Sequence, residues 1–315
     1  MLGLAGLTAL GAQAQPFPSK PIRIVVPYPA GGASDPIARG IAAELSKRIG
    51  QTVFVENRPG GNTIIAVQYV ASAAPDGYTL LYTYTNPFTQ LPAMYKKLPY
   101  DPKTSYTPVA LMGELKLGIA VPASSPHTSL TQMVAAAKAS PEKVTYGSSG
   151  SAQTTALAMA LFNTATGIKM THVPYQGSGP AVQALVAGQV DSLFTDVTSV
   201  DPFVKAGRLR LLGVPGPKRN PDYPDVPTFA EQGFKDVEIP PVWFGLVGPP
   251  NMPADVVAKL NQEITATVRT PEIGRVLANL KMAQLTGGPQ DMAALIATDE
   301  KLWGGIIRQL GIQLD

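Results

Sequence analysis

The sequence predicts an α/β protein built as two lobes with a cleft between them. Strand-like and helix-like segments alternate through most of the 315 residues. The alternation breaks at Val121-Pro122-Ala123-Ser124-Ser125-Pro126 and then restarts, and Ile239 to Leu246 reads as a return crossing. Strand–helix–strand order argues for a largely parallel sheet, and two crossings of the chain argue for a hinge.

The first strand, Ile22 to Val26, stops at Pro27 and runs into Pro29-Ala30-Gly31-Gly32-Ala33, after which Ser34 or Asp35 caps a helix carrying Ile37, Ile41, Ala42 and Leu45. Val53–Glu56 is a short strand closed by Asn57-Arg58-Pro59-Gly60-Gly61, Thr63–Ala73 has helical apolar spacing, and Tyr78–Tyr82 is the next strand. Beyond the break come helix Leu130–Ala139, strand Val144–Gly147, helix Thr154–Thr164, strand Met170–Val173, helix Ala181–Ala187 and strand Ser192–Thr195. Pro215 to Pro227 reads as surface loop. The tail offers helix Ala254–Val268, an extended piece at Ala283-Gln284-Leu285, and a last helix Gln290–Leu310. These assignments place residues 15–120 and 245–315 in lobe 1 and residues 121–244 in lobe 2.

Composition excludes several classes of chemistry. The chain has no cysteine, so disulfides, thiolate catalysis and cysteine-ligated zinc are absent. Net charge is only +3 with Lys and Arg scattered, which argues against nucleic acid as a partner. Leu2 to Leu10 is a short apolar run followed by Ala12-Gln13-Ala14, a small-x-small cleavage pattern, so residues 1–14 read as the remnant of a signal peptide on an exported protein. No later apolar run approaches the ~20 residues of a membrane span.

Four strand-to-helix turns share one chemistry: Pro29 to Asp35, Thr83 to Asn86, Gly147 to Thr155, and Tyr175 to Pro180, where Pro180 suits the first helical position. Each follows the carboxyl end of a strand, where open α/β sheets bind ligands. A helix N-terminus behind glycines presents unpaired N–H groups and the positive end of the helix dipole, so it binds an anion without a charged side chain. Asp196 adds an acceptor at the end of another strand. The competing reading is that each turn is ordinary connection chemistry, in which Gly, Ser and Asp supply caps and positive φ.

Enzyme signatures are weak. Gly147 to Ser151 lacks the second glycine of a nucleophile elbow, and the dinucleotide and P-loop patterns are absent. Of the two histidines, His172 reads as a packed or hydrogen-bonded structural residue, and the rival class, a serine hydrolase, would use it as the base for Ser149. No residue pair predicts a metal site, and no cofactor is expected.

Motifs along the whole chain carry a resemblance. Phe17-Pro18-Ser19-Lys20-Pro21-Ile22-Arg23 running through to Asp35, Val55 to Gly60, Pro75 to Leu80, Tyr146 to Gly150, Val173 to Gly177, and Trp243 to Leu246 stand in this order. The chain resembles the periplasmic solute-binding receptors of the tripartite tricarboxylate transporter type, the Bug family of Bordetella and related bacteria. The resemblance implies a two-lobed periplasmic-binding-protein (Venus flytrap) fold, a carboxylate held between the lobes partly through ordered water, and delivery to membrane permease subunits. It implies a non-enzymatic monomer. Carried over to this chain, the ligand residues are Ala30, Gly31, Gly32, Ser34 and Asp35 from lobe 1, with Thr85 and Asn86 on the same cleft. From lobe 2 they are Ser148, Ser149, Ser151, Gln153 and Thr154, with Tyr175, Gln176 and Asp196. A sensory module sharing the same cleft is the alternative outcome.

Two departures mark this chain. Gln153-Thr154-Thr155 stands where many relatives carry Ser-Pro-His, and Gly61-Asn62-Thr63 shortens the usual turn after Pro59-Gly60. Facing helix N-termini suit a dicarboxylate. Tyr28, Tyr84, Phe88 and Trp243 are the aromatics that could sandwich a ring such as terephthalate, or else pack the core.

Overall fold

The computed structural model describes residues 17–30, 34–240 and 242–314. The signal-peptide expectation and the glycines Gly31 and Gly32 lie outside the described residues.

The elements in order are β1 (Ile22–Val26), α1 (Ser34–Ile49), β2 (Val53–Asn57), α2 (Ile64–Ala71), β3 (Thr79–Tyr84), α3 (Asn86–Thr89), α4 (Leu91–Met94), β4 (Thr107–Leu115) and β5 (Leu117–Pro122). Then come α5 (Leu130–Ala139), β6 (Thr145–Ser148), α6 (Thr154–Thr166), β7 (Thr171–Pro174), α7 (Ser178–Val186), β8 (Ser192–Asp196), α8 (Val197–Lys205) and β9 (Leu209–Gly213). The chain closes with β10 (Val242–Gly248), α9 (Ala254–Val268), α10 (Pro271–Asn279), β11 (Met282–Gly287) and α11 (Pro289–Leu310).

Two sheets organise the two lobes. One has the order β11-β4-β10-β3-β1-β2 and the other β7-β6-β8-β5-β9. Both are mixed rather than largely parallel. β1 pairs in parallel with β2 and β3, but β10 runs antiparallel to β3 and β4. In the second sheet β6 is parallel to β7 and β8, while β5 is antiparallel to β8 and β9. The antiparallel strands include β5 and β10, each entered from the other lobe rather than through a crossover helix.

The crossings differ from the sequence expectation. β4 ends at Leu115 and β5 starts at Leu117, so Lys116 alone separates the sheets, and Val121-Pro122 lies inside the second sheet. The segment from Val242 is strand β10 of the first sheet, not a connector, and Val242 pairs with Leu115. The two crossings therefore lie side by side. Lys116 is anchored there because its carbonyl accepts the Val197 N–H at 2.8 Å.

Apart from the partly exposed Arg23, β1 is devoid of solvent contact, as Ile and Val covered on both faces should be. One face is covered by α1 through Ile37, Ala38, Ile41 and Leu45, together with Leu260 and Ile264 of α9 and Ile273 and Leu277 of α10. On the other, Ala66, Val67 and Val70 of α2 pack with Trp243, Met292 and Ile296. The second sheet has α7 and α8 on one face and α5 and α6 on the other. The latter core also takes in Leu91 and Met94 of α4 and Trp303 and Ile307 of α11. The 22-residue α11 thus begins in the core of one lobe and ends in the core of the other.

Candidate functional site

A cavity of about 930 Å³ opens between the lobes at the two crossings, with Leu115, Leu117 and Val242 in its wall. Tyr28, Ser34, Tyr84 and Asn86 line it from the first lobe. From the second come Ser149, Ser151, Gln153, Thr154, Tyr175, Gln176 and Asp196.

Helix starts in this protein differ in how they are capped, and two of those at the cavity carry no side-chain cap. α5, α8 and α10 are capped by their own side chains: Ser129, Asp196 and Thr270 each accept the N–H three residues on. α6 starts after Gln153 and α7 after Gly177, and neither N-cap residue makes a side-chain cap bond. Gly177 has φ 106°, a conformation glycine adopts without steric cost. The N–H groups of Thr154 and Thr155 in α6 and of Ser178 and Gly179 in α7 precede the first intrahelical bonds and are available to a ligand, with the helix dipole behind them, whereas Ala156 already bonds the Gln153 carbonyl and Pro180 has no N–H. Among the described lining residues Asp196 is the sole charged side chain. An anion here is met by backbone amides and hydroxyls, not by a guanidinium or ammonium.

Aromatic hydroxyls add to the donor set. Tyr82 donates to the Tyr84 hydroxyl at 3.3 Å, and Tyr84 shares a 3.1 Å hydrogen bond with Ser34 Oγ at the start of α1. The Tyr28 ring lies 5.5 Å from that of Tyr84. Burial raises the pKa of all three phenols, with neighbouring tyrosines adding to it at Tyr28 and Tyr82, so they remain protonated donors.

Several sequence candidates do not line the cavity. Asp35 instead builds the first turn: its carboxylate pairs with Arg39 Nε at 2.9 Å and accepts from Asn57 Nδ2 at 3.1 Å, while the same Asn57 nitrogen donates to the Tyr28 carbonyl. Thr85 is fully buried, with its hydroxyl 3.4 Å from the Trp243 carbonyl. Ser148 is fully buried beneath its turn, and Ala30 is exposed outside the cavity wall. Phe88 and Trp243 are 1% and 0% exposed and belong to the core, so Tyr28 and Tyr84 form one aromatic wall and no sandwich. Pro180 stands third in α7, not first. Asp196 does line the cavity, but as the cap of α8, accepting from Ser199 N and Oγ at 2.8 Å and from Ser178 Oγ at 3.2 Å.

Other lining residues were not singled out from sequence. Thr155, Ser178 and Ser199 sit in or just after the turns already identified, and Thr63 in the shortened one. Leu314 reaches the cavity because its N–H bonds the Met94 carbonyl at 2.7 Å, a long-range pairing with no local sequence signal.

The hydrolase alternative fails on geometry. His172 Nε2 bonds Ser148 Oγ at 2.7 Å, and its ring stacks on Tyr146 at 4.7 Å. Ser149 Oγ instead pairs with Thr155 Oγ1 at 2.8 Å. Burial lowers the His172 pKa, so the imidazole is a neutral structural partner. Among the described residues no cluster of His, Cys, Asp and Glu could hold a metal, and no helix is long and apolar enough to cross a membrane.

Comparison with known proteins agrees with this geometry. A family model described as "Tripartite tricarboxylate transporter family receptor" matches residues 37–312. A UPF0065 protein from the tcbD-tcbE intergenic region of Pseudomonas sp. strain P51 is 38% identical over 292 residues, covering 92% of this chain and 86% of that protein. Protein BugT of Bordetella pertussis is 29% identical over 314 residues, covering 99% and 96%. Among solved structures, an R. palustris protein with adipate superposes with TM-score 0.87 at 32% identity, covering 94% of this chain and 99% of that one. MatC of Rhodopseudomonas palustris, with bound malate, gives 0.82 at 29%, covering 92% and 100%. The chain belongs to the tripartite tricarboxylate transporter receptor family, the periplasmic solute-binding proteins that include the Bug receptors, and it is a binding protein rather than an enzyme.

Proposed function

We propose that this receptor captures a small dicarboxylate between its lobes and hands it to the permease subunits of a tripartite transporter. One carboxylate is held at the start of α1 and the other at the starts of α6 and α7. The observation that carries this is the pair of uncapped helix N-termini on a cavity with no basic side chain among its described lining residues. Adipate and malate in the two R. palustris relatives are both dicarboxylates, which supports the same class here. Tyr28 and Tyr84 offer a flat apolar wall, and the volume admits a ring, so terephthalate is a candidate beside C4 to C6 aliphatic acids. Export with removal of residues 1–14 belongs to the same proposal.

The test is thermal melting of the chain from Gln15 onward against mono-, di- and tricarboxylates, aliphatic and aromatic. A ligand that binds only the folded state raises the melting temperature by mass action. A shift with dicarboxylates and none with acetate or benzoate is the expected result, and a shift confined to monocarboxylates overturns the reading. Loss of uptake of that same acid on deletion of the gene tests the delivery step.

A further inference from the structure

The start of α6 has a fixed hydrogen-bond polarity, imposed by Asn86 in the cavity wall and by Gln90 behind it. Asn86, on the first lobe, places its Nδ2 at 2.9 Å from the Ala152 backbone carbonyl on the second lobe and at 2.8 Å from Gln90 Oε1. A backbone carbonyl can only accept, so Asn86 must present its NH2 group there, and the two hydrogens of that group serve both contacts. Turning either amide over would set acceptor against acceptor or donor against donor. Gln90 Oε1 also lies 3.0 Å from Thr154 Oγ1. An oxygen already fixed as an acceptor requires the threonine hydroxyl to donate, and a hydroxyl has one proton to give. Thr154, in the cavity wall, therefore has only lone pairs left for a ligand.

The arrangement is held at a cost. Asn86 Oδ1 and Gln90 Nε2 are buried without partners among the described residues, yet the Ala152 carbonyl keeps both amides in this orientation. The next residue behaves differently. Thr155 Oγ1 and Ser149 Oγ face each other, and Thr155 also receives the Ser149 N–H at 3.1 Å. Two hydroxyls share one bond there, so one proton stays free for a carboxylate. A donor corner and an acceptor corner thus adjoin on consecutive residues of one helix turn.

We propose that Gln90, which does not itself line the cavity, is a positioning residue that makes Thr154 an acceptor, so that the receptor selects an acid carrying a hydroxyl or ammonium group beside its carboxylate. The inference rests on the dicarboxylate reading. With one carboxylate on the α6 N–H groups, a donor on the adjoining carbon falls to Thr154. An unsubstituted acid leaves that oxygen unpaired, and sites built to bond a ligand O–H or N–H discriminate against analogues lacking it.

The test is calorimetric titration with matched sets: succinate, malate and aspartate; adipate, 2-hydroxyadipate and 2-aminoadipate. Terephthalate, whose carboxyl-bearing carbon cannot carry a donor, serves as the plain aromatic reference. The expected result is that, in the set that binds, a substituted acid binds about tenfold more tightly than the plain one. The hydroxy and amino members show which donor is read. Thr154→Val should abolish the preference and Thr154→Ser keep it. Gln90→Leu frees the Thr154 proton, so the ratio should collapse while the plain acid gains affinity, whereas a merely structural role would weaken all members alike. Should Gln90→Leu not fold, Gln90→Glu, whose carboxylate still accepts from both partners, must keep the preference, and its loss overturns the proposal. Equal binding of plain and substituted acids, or a preference that survives Thr154→Val, overturns this inference and leaves the dicarboxylate reading standing. If no member of any set binds, both fall together.

Discussion

The indole Nε1–H of Trp243 donates to the Asp299 carboxylate at 2.8 Å, tying the second residue of β10 to α11 just after the chain re-enters the first sheet. Asp299 is 3% exposed, and burial pushes its pKa up to about 6, against the opposing effect of the Trp243 hydrogen bond. A carboxyl whose folded pKa exceeds its unfolded value near 3.9 binds the proton more tightly when folded. Its contribution is therefore most favourable at low pH and is lost as pH rises through about 6. Asp299→Asn keeps an acceptor for the indole and removes the titration. Denaturant unfolding at pH 5 and pH 7 should show wild type gaining about 1 kcal/mol at the lower pH relative to the variant.

The two buried tryptophans make a paired test. Trp243 satisfies a carboxylate, whereas Trp303 Nε1 is buried without a partner among the described residues. Trp243→Phe strands Asp299, while Trp303→Phe removes an orphan donor. Trp243→Phe should cost more stability by about 1–3 kcal/mol, read from urea midpoints.

Gly245 lies in the centre of β10 at a register shift against β4, and a Cβ there would meet the Ala110 carbonyl oxygen at 2.3 Å and Met292 Cε at 2.5 Å. The methionine can yield, but the paired backbone cannot. Gly245→Ala should destabilise by roughly 3 kcal/mol or more, measured by chemical denaturation.

Tyr28 is half-buried in the cavity wall. Tyr28→Leu keeps apolar bulk and removes the ring, so terephthalate should lose about two- to tenfold more affinity than adipate in parallel titrations. Equal losses would mean the ring is not stacked on the ligand.

Asp196 places a carboxylate in the cavity proposed to hold an anion, while its oxygens cap α8. Asparagine caps as well as aspartate. Asp196→Asn should leave the melting temperature nearly unchanged and tighten a plain dicarboxylate severalfold, more at low ionic strength.

Much of the cavity lining was legible because the composition of a helix start is a local property. The turns at Gly147 to Thr155 and Tyr175 to Pro180 announce themselves by glycine and small hydroxyl residues, and both reach the cavity. Thr85, Asp35 and Ser148 share that composition but spend their polar atoms on Trp243, Arg39 and His172. Composition cannot separate a turn that opens on the cavity from one whose polar atoms are satisfied within the protein. The aromatics behave likewise: Tyr28 and Tyr84 face the cavity while Phe88 and Trp243 fill the core, a division made by neighbours distant in sequence.

The sequence by itself determined the strand and helix alternation, the buried character of β1 and the placement of glycine where the α7 start needs positive φ. Those follow from periodicity and backbone sterics over a few residues. Tertiary structure decided that β4, β5 and β9 exist as strands and α8 and α10 as helices, that the sheets are mixed, and that the chain passes from one sheet to the other at Lys116. Proline and glycine mark where an element ends, whereas a handover between lobes is set by which strand the next residue pairs with. Thr154 makes the same point at atomic scale. Its identity is in the sequence, but the direction of its proton is fixed by Gln90, Asn86 and a carbonyl on the opposite lobe.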